Sequence, residues 1–249
     1  EEAGFQVLHL YVDGLWIRKP DGAPPGDLNP LLVDIAARTG LPIALEGIYR
    51  WVAFLPSRVK AQRATASCYF GVFTDGSVKL RGIAARRHDT PPWVAGVQTH
   101  LLEILAQAAT AAELPQQIAP ARAYVAGQLR RLRSGQVALV ELVLRQKLSR
   151  VADAYRCPSP PAKAAAQLEA AGQAPLQPGQ YVRFIYTRGA PGVRAWDLPG
   201  RIDPRTVDVD RYAALLERAA AQVLDVLPGA PAPLQENFAW PGRPVPGQP

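Results

Sequence analysis

Apolar residues recur with two different periods along this chain, and the change falls close to residue 90. In residues 5–18, FQVLHLYVDGLWIR, two apolar runs flank Asp13-Gly14. An Asp-Gly pair between such runs predicts a tight hairpin, because the turn demands residues that tolerate positive φ. Asn29-Pro30 then opens LLVDIAART, closed by Gly40, the pattern of a helix with a cap, a proline in its first turn and a terminal glycine. IYRWVAFLP (48–56) reads as a strand, and YFGVF and SVKL around Asp75-Gly76 read as a second hairpin.

Beyond Thr90-Pro91 the spacing becomes helical, with Val94, Val97, Leu101, Leu102 and Leu105 on one face of PWVAGVQTHLLEILAQAATAAE. A second helix is expected over about 120–134, ending at Gly135; VALVELVL (137–144) reads as a β-rich run, and PAKAAAQLEAAG as a helix after Ser159-Pro160. The strand QYVRFIYT and the helix DVDRYAALLERAAAQVLDVL, stopped by Pro228-Gly229, complete the pattern. The expected fold class is α+β: antiparallel hairpins over 1–89, a mostly helical region over 90–228, and a proline-rich tail over 229–249. Trp16, Trp51, Trp93 and Trp196 are expected in cores, and His9 and His100 as structural histidines within apolar runs.

Charge sharpens this picture. The net charge is +7 over 249 residues, but it is concentrated. Residues 47–90 hold eight bases (Arg50, Arg58, Lys60, Arg63, Lys79, Arg81, Arg86, Arg87) against Asp75 and Asp89, a net +6. Residues 122–156 hold eight more (Arg122, Arg130, Arg131, Arg133, Arg145, Lys147, Arg150, Arg156) against Glu141 and Asp153, again +6. Local positive charge points to a polyanion, since each base that meets a phosphate releases condensed counterions. The alternative is that these bases decorate solvated helix faces. Lys79 and Arg81, two apart on a strand, project from one face, and Arg86, Arg87 and His88 follow in the connection to the helical region.

Other chemistries find little support. Cys68 and Cys157 stand apart without metal-ligand spacing, and no stretch reaches the roughly 18 uninterrupted apolar residues of a membrane span. A soluble, cytoplasmic protein is expected. The absence of methionine, together with the immediate start of a strand pattern, suggests a chain that begins inside a longer or split product.

The order of these segments resembles the C-terminal palm and thumb of family B DNA polymerases, to about residue 228. VLHLYVDGLWI resembles the motif C hairpin, usually V-I-Y-G-D-T-D-S-L-F-V. SCYFGVFTDGSVKLRGIAARRHDTPPWV resembles the KxY region, the basic hairpin and the start of the thumb. VELVLRQKLS, KAAAQLEAAG, LQPGQYVRFIYT and VDVDRYAALLERAAAQVL resemble successive thumb elements. Tyr11 replaces the first aspartate of motif C, Val12 the threonine and Gly14 the serine, while Asp13 retains the second aspartate. This V-D-x-L-W form is similar to a divergent archaeal and bacterial branch of the family. The lysines expected before Tyr69 are replaced by Ala66, Ser67 and Cys68.

The resemblance implies that Asp13 is catalytic and a ligand of Mg2+, shared with a motif A aspartate that lies outside this chain. Asp21 and Asp27 fall beyond the hairpin and are not placed to complete the site. It implies DNA contacts at Tyr69, Lys79, Arg81, Arg86, Arg87, Arg145 and Lys147, with Tyr69 either against the primer-template or filling the sheet. The partners implied are primer-template DNA, dNTP and an N-terminal polymerase segment or subunit carrying the exonuclease, fingers and motif A. The expected function is template-directed nucleotidyl transfer in replication or repair, near the nucleoid, with the isolated chain inactive. A non-catalytic DNA-binding subunit derived from an inactivated polymerase is the alternative.

Overall fold

The protein is described by a computed structural model at residues 2–12, 14–20, 23–56 and 64–227. Asp13, Asp21, the bases Arg58, Lys60 and Arg63, and the proline-rich 229–249 lie outside the described residues. The architecture is α+β, as the pattern predicts, and the chain divides into two compact units at Gly82/Ile83.

The first unit is built on sheets. β1 (Gln6–Tyr11) and β2 (Gly14–Arg18) form a hairpin where one was expected, but Gly14 pairs with Tyr11 as the first residue of β2 and does not take the positive φ that an Asp-Gly turn would give it. α1 (Asn29–Thr39) follows, with Pro30 in its first turn and Gly40 at φ 68° ending it. β3 (Tyr49–Pro56), β4 (Ala64–Phe73) and β5 (Val78–Arg81) make a three-stranded antiparallel sheet. The Asp75-Gly76 turn closes β4 onto β5, with the Asp75 carboxylate accepting from the Ser77 backbone N–H at 2.8 Å. The hairpin meets this sheet through an aromatic cluster: Trp16 lies 5.5 Å from Phe54 and 5.4 Å from Tyr69, both edge-on, and His9 lies 5.0 Å from Phe54. Edge-to-face geometry sets the positive rim of one ring against the negative face of the next.

The second unit opens with a short 3-10 turn, Ala84–Arg86, and then α2 (Pro92–Leu105) and α3 (Leu114–Arg133). α2 is shorter than its periodicity suggests. The Glu113 carboxylate accepts from Ala109 N–H at 2.9 Å and from the Thr110 hydroxyl at 3.2 Å, closing a turn between the two helices. α3 starts earlier than expected, with Pro120 in its interior. Proline there forfeits one backbone hydrogen bond, but Leu114 and Ile118 on the preceding turn are buried and hold the helix through it.

VALVELVL is not one strand. A 3-10 turn at Leu139–Leu142 forms first, with Glu141 accepting from Ala138 N–H at 3.2 Å, and only then comes β6 (Leu144–Lys147). α4 (Pro160–Ala170) covers the sheet that β6 makes with β7 (Tyr181–Tyr186) and β8 (Val193–Ala195). The amide of Gln167 on α4 donates to Val193 O and accepts from Ala195 N–H, both at 2.8 Å, pairing the edge strand as a further strand would.

α5 (Val209–Leu224), capped by Asp208 accepting from Arg211 N–H at 3.0 Å, packs with α2 and α3. Its Tyr212 is fully buried; the hydroxyl donates to Leu142 O at 2.8 Å and accepts from Tyr186 N–H at 3.0 Å, and burial pushes this phenol's pKa up.

Candidate nucleic-acid interface

In the first unit, β5 pairs with β4 so that Lys79 faces Gly71 and Arg81 faces Tyr69. Alternation places both bases on one face of the sheet. Lys79 is ion-paired with Glu46, which raises its pKa, and the Arg81 guanidinium lies 5.3 Å from the centre of the Tyr11 ring. Tyr69 is 2% exposed and sits in the cluster with Trp16 and Phe54, so its ring fills the sheet of this unit. Gly82, at φ 69°, ends the hairpin where a Cβ would collide with Ser67 O and Cys68 Sγ. Only glycine tolerates both that contact and that backbone angle.

In the second unit, Ile83 is fully buried and anchors the segment that carries Arg86, Arg87 and His88, all three exposed. Arg87 grips Asp89 with two hydrogen bonds, Nε to Oδ1 at 2.9 Å and Nη2 to Oδ2 at 2.7 Å. The pair raises the arginine's pKa and lowers the aspartate's. Behind the turn, Ala85 N–H donates to the side chain of Gln98 and Ala84 N–H to that of Gln222.

The outer face of the β6–β7–β8 sheet is the second cationic region of this unit. Register sets Arg145 opposite Arg183 and Lys147 opposite Tyr181, and all four side chains are exposed, while Leu144, Val182 and Phe184 point inward and are buried. The Arg145 guanidinium stacks 3.7 Å from the Tyr181 ring centre, and Arg183 is paired with Asp197. Tyr181 and Arg183 escape a search for basic clusters alone; the two-residue alternation of QYVRFIYT was their signal. A shallow cavity of about 480 Å³ lies at the end of α3, lined by Tyr124, Gln128, Arg130 and Arg131 among others. Arg130, Arg131 and Arg133 occupy the last turn of α3, where cations complement the helix dipole.

Among the described residues, no group of three or more His, Cys, Asp or Glu side chains is placed to hold a metal ion. No helix among them is long and apolar enough to cross a membrane. Trp51 and Trp93 are buried as expected, Trp16 and Trp196 are half-buried, and His100 lies exposed against Glu103 and Tyr124 instead of in a core.

Known proteins share parts of this sequence and its fold. The chain is 26% identical over 224 residues to DNA polymerase 1 of Saccharolobus solfataricus, covering 90% of this chain and 24% of that protein. It is 25% identical over 189 residues to DNA polymerase 2 of Aeropyrum pernix, covering 76% of this chain and 21% of the relative. The chain thus spans about a quarter of the length of these relatives. The family B DNA polymerase from the hyperthermophilic archaeon Pyrobaculum calidifontis shares the fold, with a TM-score of 0.62 at 22% identity over 90% of this chain and 27% of that one. Residues 65–219, more than half of the sequence, match DNA polymerase family B, and the chain belongs to that family.

Proposed function

We propose that this chain is the C-terminal palm and thumb portion of a DNA-directed DNA polymerase, with residues 1–89 completing the palm and 90–228 forming the thumb. It grips primer-template DNA through Lys79, Arg81, Arg86 and Arg87 and through Arg145 and Lys147. The observation that carries this reading is that all six bases fall within the segment matching the family, and that the bases at 81, 86, 87, 145 and 147 are exposed. Side chains of this kind position a duplex by its phosphates without reading its sequence. Tyr69 supports the basic hairpin from beneath, through the aromatic cluster.

Asp13 is the proposed catalytic aspartate and metal ligand. Its carboxylate is a hard oxygen donor of the kind magnesium takes, and magnesium sites commonly use one or two such groups beside substrate phosphates. Strands β1 and β2 flank position 13 closely, with Tyr11 opposite Gly14. The remaining protein ligand must come from outside this chain, in the N-terminal segment or subunit that also supplies the exonuclease and fingers. When bound, Mg2+ supplies charge stabilisation for transfer of a nucleotidyl group from dNTP. The apolar side chains left exposed in the first unit, Leu10 at 70% and Val12 at 94% among them, offer that partner a face. The setting is cytoplasmic, at the nucleoid, in replication or repair.

One observation favours the second reading, a non-catalytic DNA-binding subunit. At Tyr11, where the family carries a carboxylate, Arg81 lies over the ring in a cation–π contact.

Primer extension separates the two. The isolated chain binds duplex DNA, with affinity falling steeply as salt rises, and extends no primer. Joined to its N-terminal partner it extends, and Asp13→Asn lowers extension by orders of magnitude while leaving duplex affinity nearly unchanged. An assembled wild type that never extends a primer establishes the second reading, and extension that survives Asp13→Asn removes the metal assignment.

A further inference from the structure

Gln98 is fully buried on α2, where Val97, Leu101 and Leu102 beside it are core residues. An amide in such a place is costly unless both its ends are hydrogen-bonded, and here both are. Oε1 accepts from Ala85 N–H at 2.6 Å, and Nε2 donates to Ala219 O at 2.7 Å and to Gln222 Oε1 at 3.2 Å. Gln222 Oε1 also accepts from Ala84 N–H at 3.2 Å. Ala84 and Ala85 open the 3-10 turn whose last residue is Arg86. The first N–H groups of any helical turn lack a partner within it, and these two are satisfied by side chains from α2 and α5. Methionine would fill nearly the same volume, so what glutamine adds at 98 is its three hydrogen bonds.

We infer that Gln98, assisted by Gln222, is a positioning residue for DNA binding: it fixes the turn Ala84–Arg86 against α2 and α5 and so sets the direction in which Arg86 and Arg87 leave the backbone. The inference rests on the proposal that these arginines meet the phosphate backbone. A connection held in advance loses less freedom when DNA binds, and that saving appears as affinity. With the two N–H groups committed to Gln98 and Gln222, the guanidinium groups are left as the anion-binding elements of the turn. Asp89 restrains Arg87 from the far side, so the segment is held at both ends.

The test is a cycle on the full chain between Gln98→Met and the double substitution Arg86→Ala/Arg87→Ala. It reads duplex affinity across a salt series by fluorescence anisotropy, and amide exchange at Ala84 and Ala85. Gln98→Met is expected to weaken binding about tenfold and to lower the salt slope by about one to two, as the loss of one or two phosphate contacts would. Exchange at both alanines accelerates. Adding Gln98→Met to the arginine double variant causes no further loss, because its effect passes through those side chains. Additive losses, or wild-type binding by Gln98→Met beside a weakened double variant, overturn the positioning role alone. A double variant that binds as wild type overturns the proposed contact itself, and the inference with it. Gln222→Ala removes the acceptor for Ala84 N–H and one of the two acceptors for Gln98 Nε2, leaves the bonds of Gln98 to Ala85 N–H and Ala219 O in place, and is the milder variant should Gln98→Met fold poorly. It is expected to weaken binding about threefold by the same route, and unchanged binding counts against the inference.

Discussion

α1 has no buried residue, whereas α2 buries Trp93, Val94, Val97, Gln98, Leu101, Leu102 and Leu105, and α5 buries eight positions from Tyr212 to Leu224. The same contrast holds for the sheets. β6–β7–β8 has one face sealed by α4 and one polar face, but the β1–β2 hairpin leaves Val7, Leu8, Leu10 and Leu15 exposed while its Trp16 joins the aromatic cluster. Helices and strands in globular domains usually pair an apolar face with a neighbour. The second unit closes a core of its own; the first buries Trp51, Phe70 and Val72, gathers His9, Trp16, Phe54 and Tyr69 in an aromatic cluster, and leaves further apolar surface open on its hairpin. A patch of that kind is a common mark of an interaction site, which is why the proposed N-terminal partner is assigned to it.

Core truncation separates the two units most strongly. Leu101→Ala removes a fully buried side chain and is expected to destabilise the protein by about 2–5 kcal/mol. Leu10→Ala, at a position 70% exposed, is expected to change stability by no more than about 0.5 kcal/mol. Denaturant unfolding of both variants checks this, and a large loss for Leu10→Ala would mean that the hairpin face is already covered.

The next effects are smaller and fall one in each unit. Tyr212→Phe deletes the hydroxyl shared by Leu142 O and Tyr186 N–H and leaves buried backbone groups without it, at a cost of about 1–3 kcal/mol by the same measurement. Gly82→Ala forces a side chain into a positive-φ position against Ser67 O, with strain of about 1–3 kcal/mol. Since that strain belongs to the first unit, amide exchange should rise around β4 and β5 and stay unchanged in α2 and α5.

The smallest effect is one of pH. Arg87 lowers the pKa of Asp89 in the folded protein. The stabilisation is therefore present above the ordinary aspartate pKa and fades as pH falls through the lowered folded value. Both partners are more than a third exposed, so solvent screening keeps the pair within about 0–1 kcal/mol. The stability difference between wild type and Asp89→Asn should be constant at neutral pH and vanish in acid; a difference that persists below the carboxylate range would point to a role other than the ion pair.

Much of the fold was written in short-range signals. Asp75-Gly76 marked its turn, Asn29-Pro30 and Gly40 bounded α1, and the spacing of Val94 to Leu105 gave the buried face of α2. Two elements depart from their local pattern, one through packing and one through a local hydrogen bond. Pro120 reads as a helix start, but buried Leu114 and Ile118 carry α3 across it. VALVELVL has β composition, but Glu141 folds its first half into a turn. Of the candidate interface, the bases were visible as clusters, and the pairing of Lys79 with Glu46 was not, since the two are distant in sequence. Nor was the role of Gln98. A glutamine within a helix carries no mark of burial, and two of its three partners lie on α5, more than a hundred residues away.

That distance has a consequence for how the chain comes to be made. Proteins emerge from the ribosome N-terminus first, and domains complete themselves as their last elements appear. Gln98 and the carbonyl of Leu142 are synthesised well before Ala219, Gln222 and Tyr212, their partners on α5. Until those residues emerge, the Gln98 amide nitrogen and the Leu142 carbonyl lack the partners that α5 supplies, and the faces of α2 and α3 that α5 packs against stay uncovered. Closure of the second unit is a late event of translation, and a ribosome stalled before residue 209 displays an unsealed unit to the chaperones of the cell.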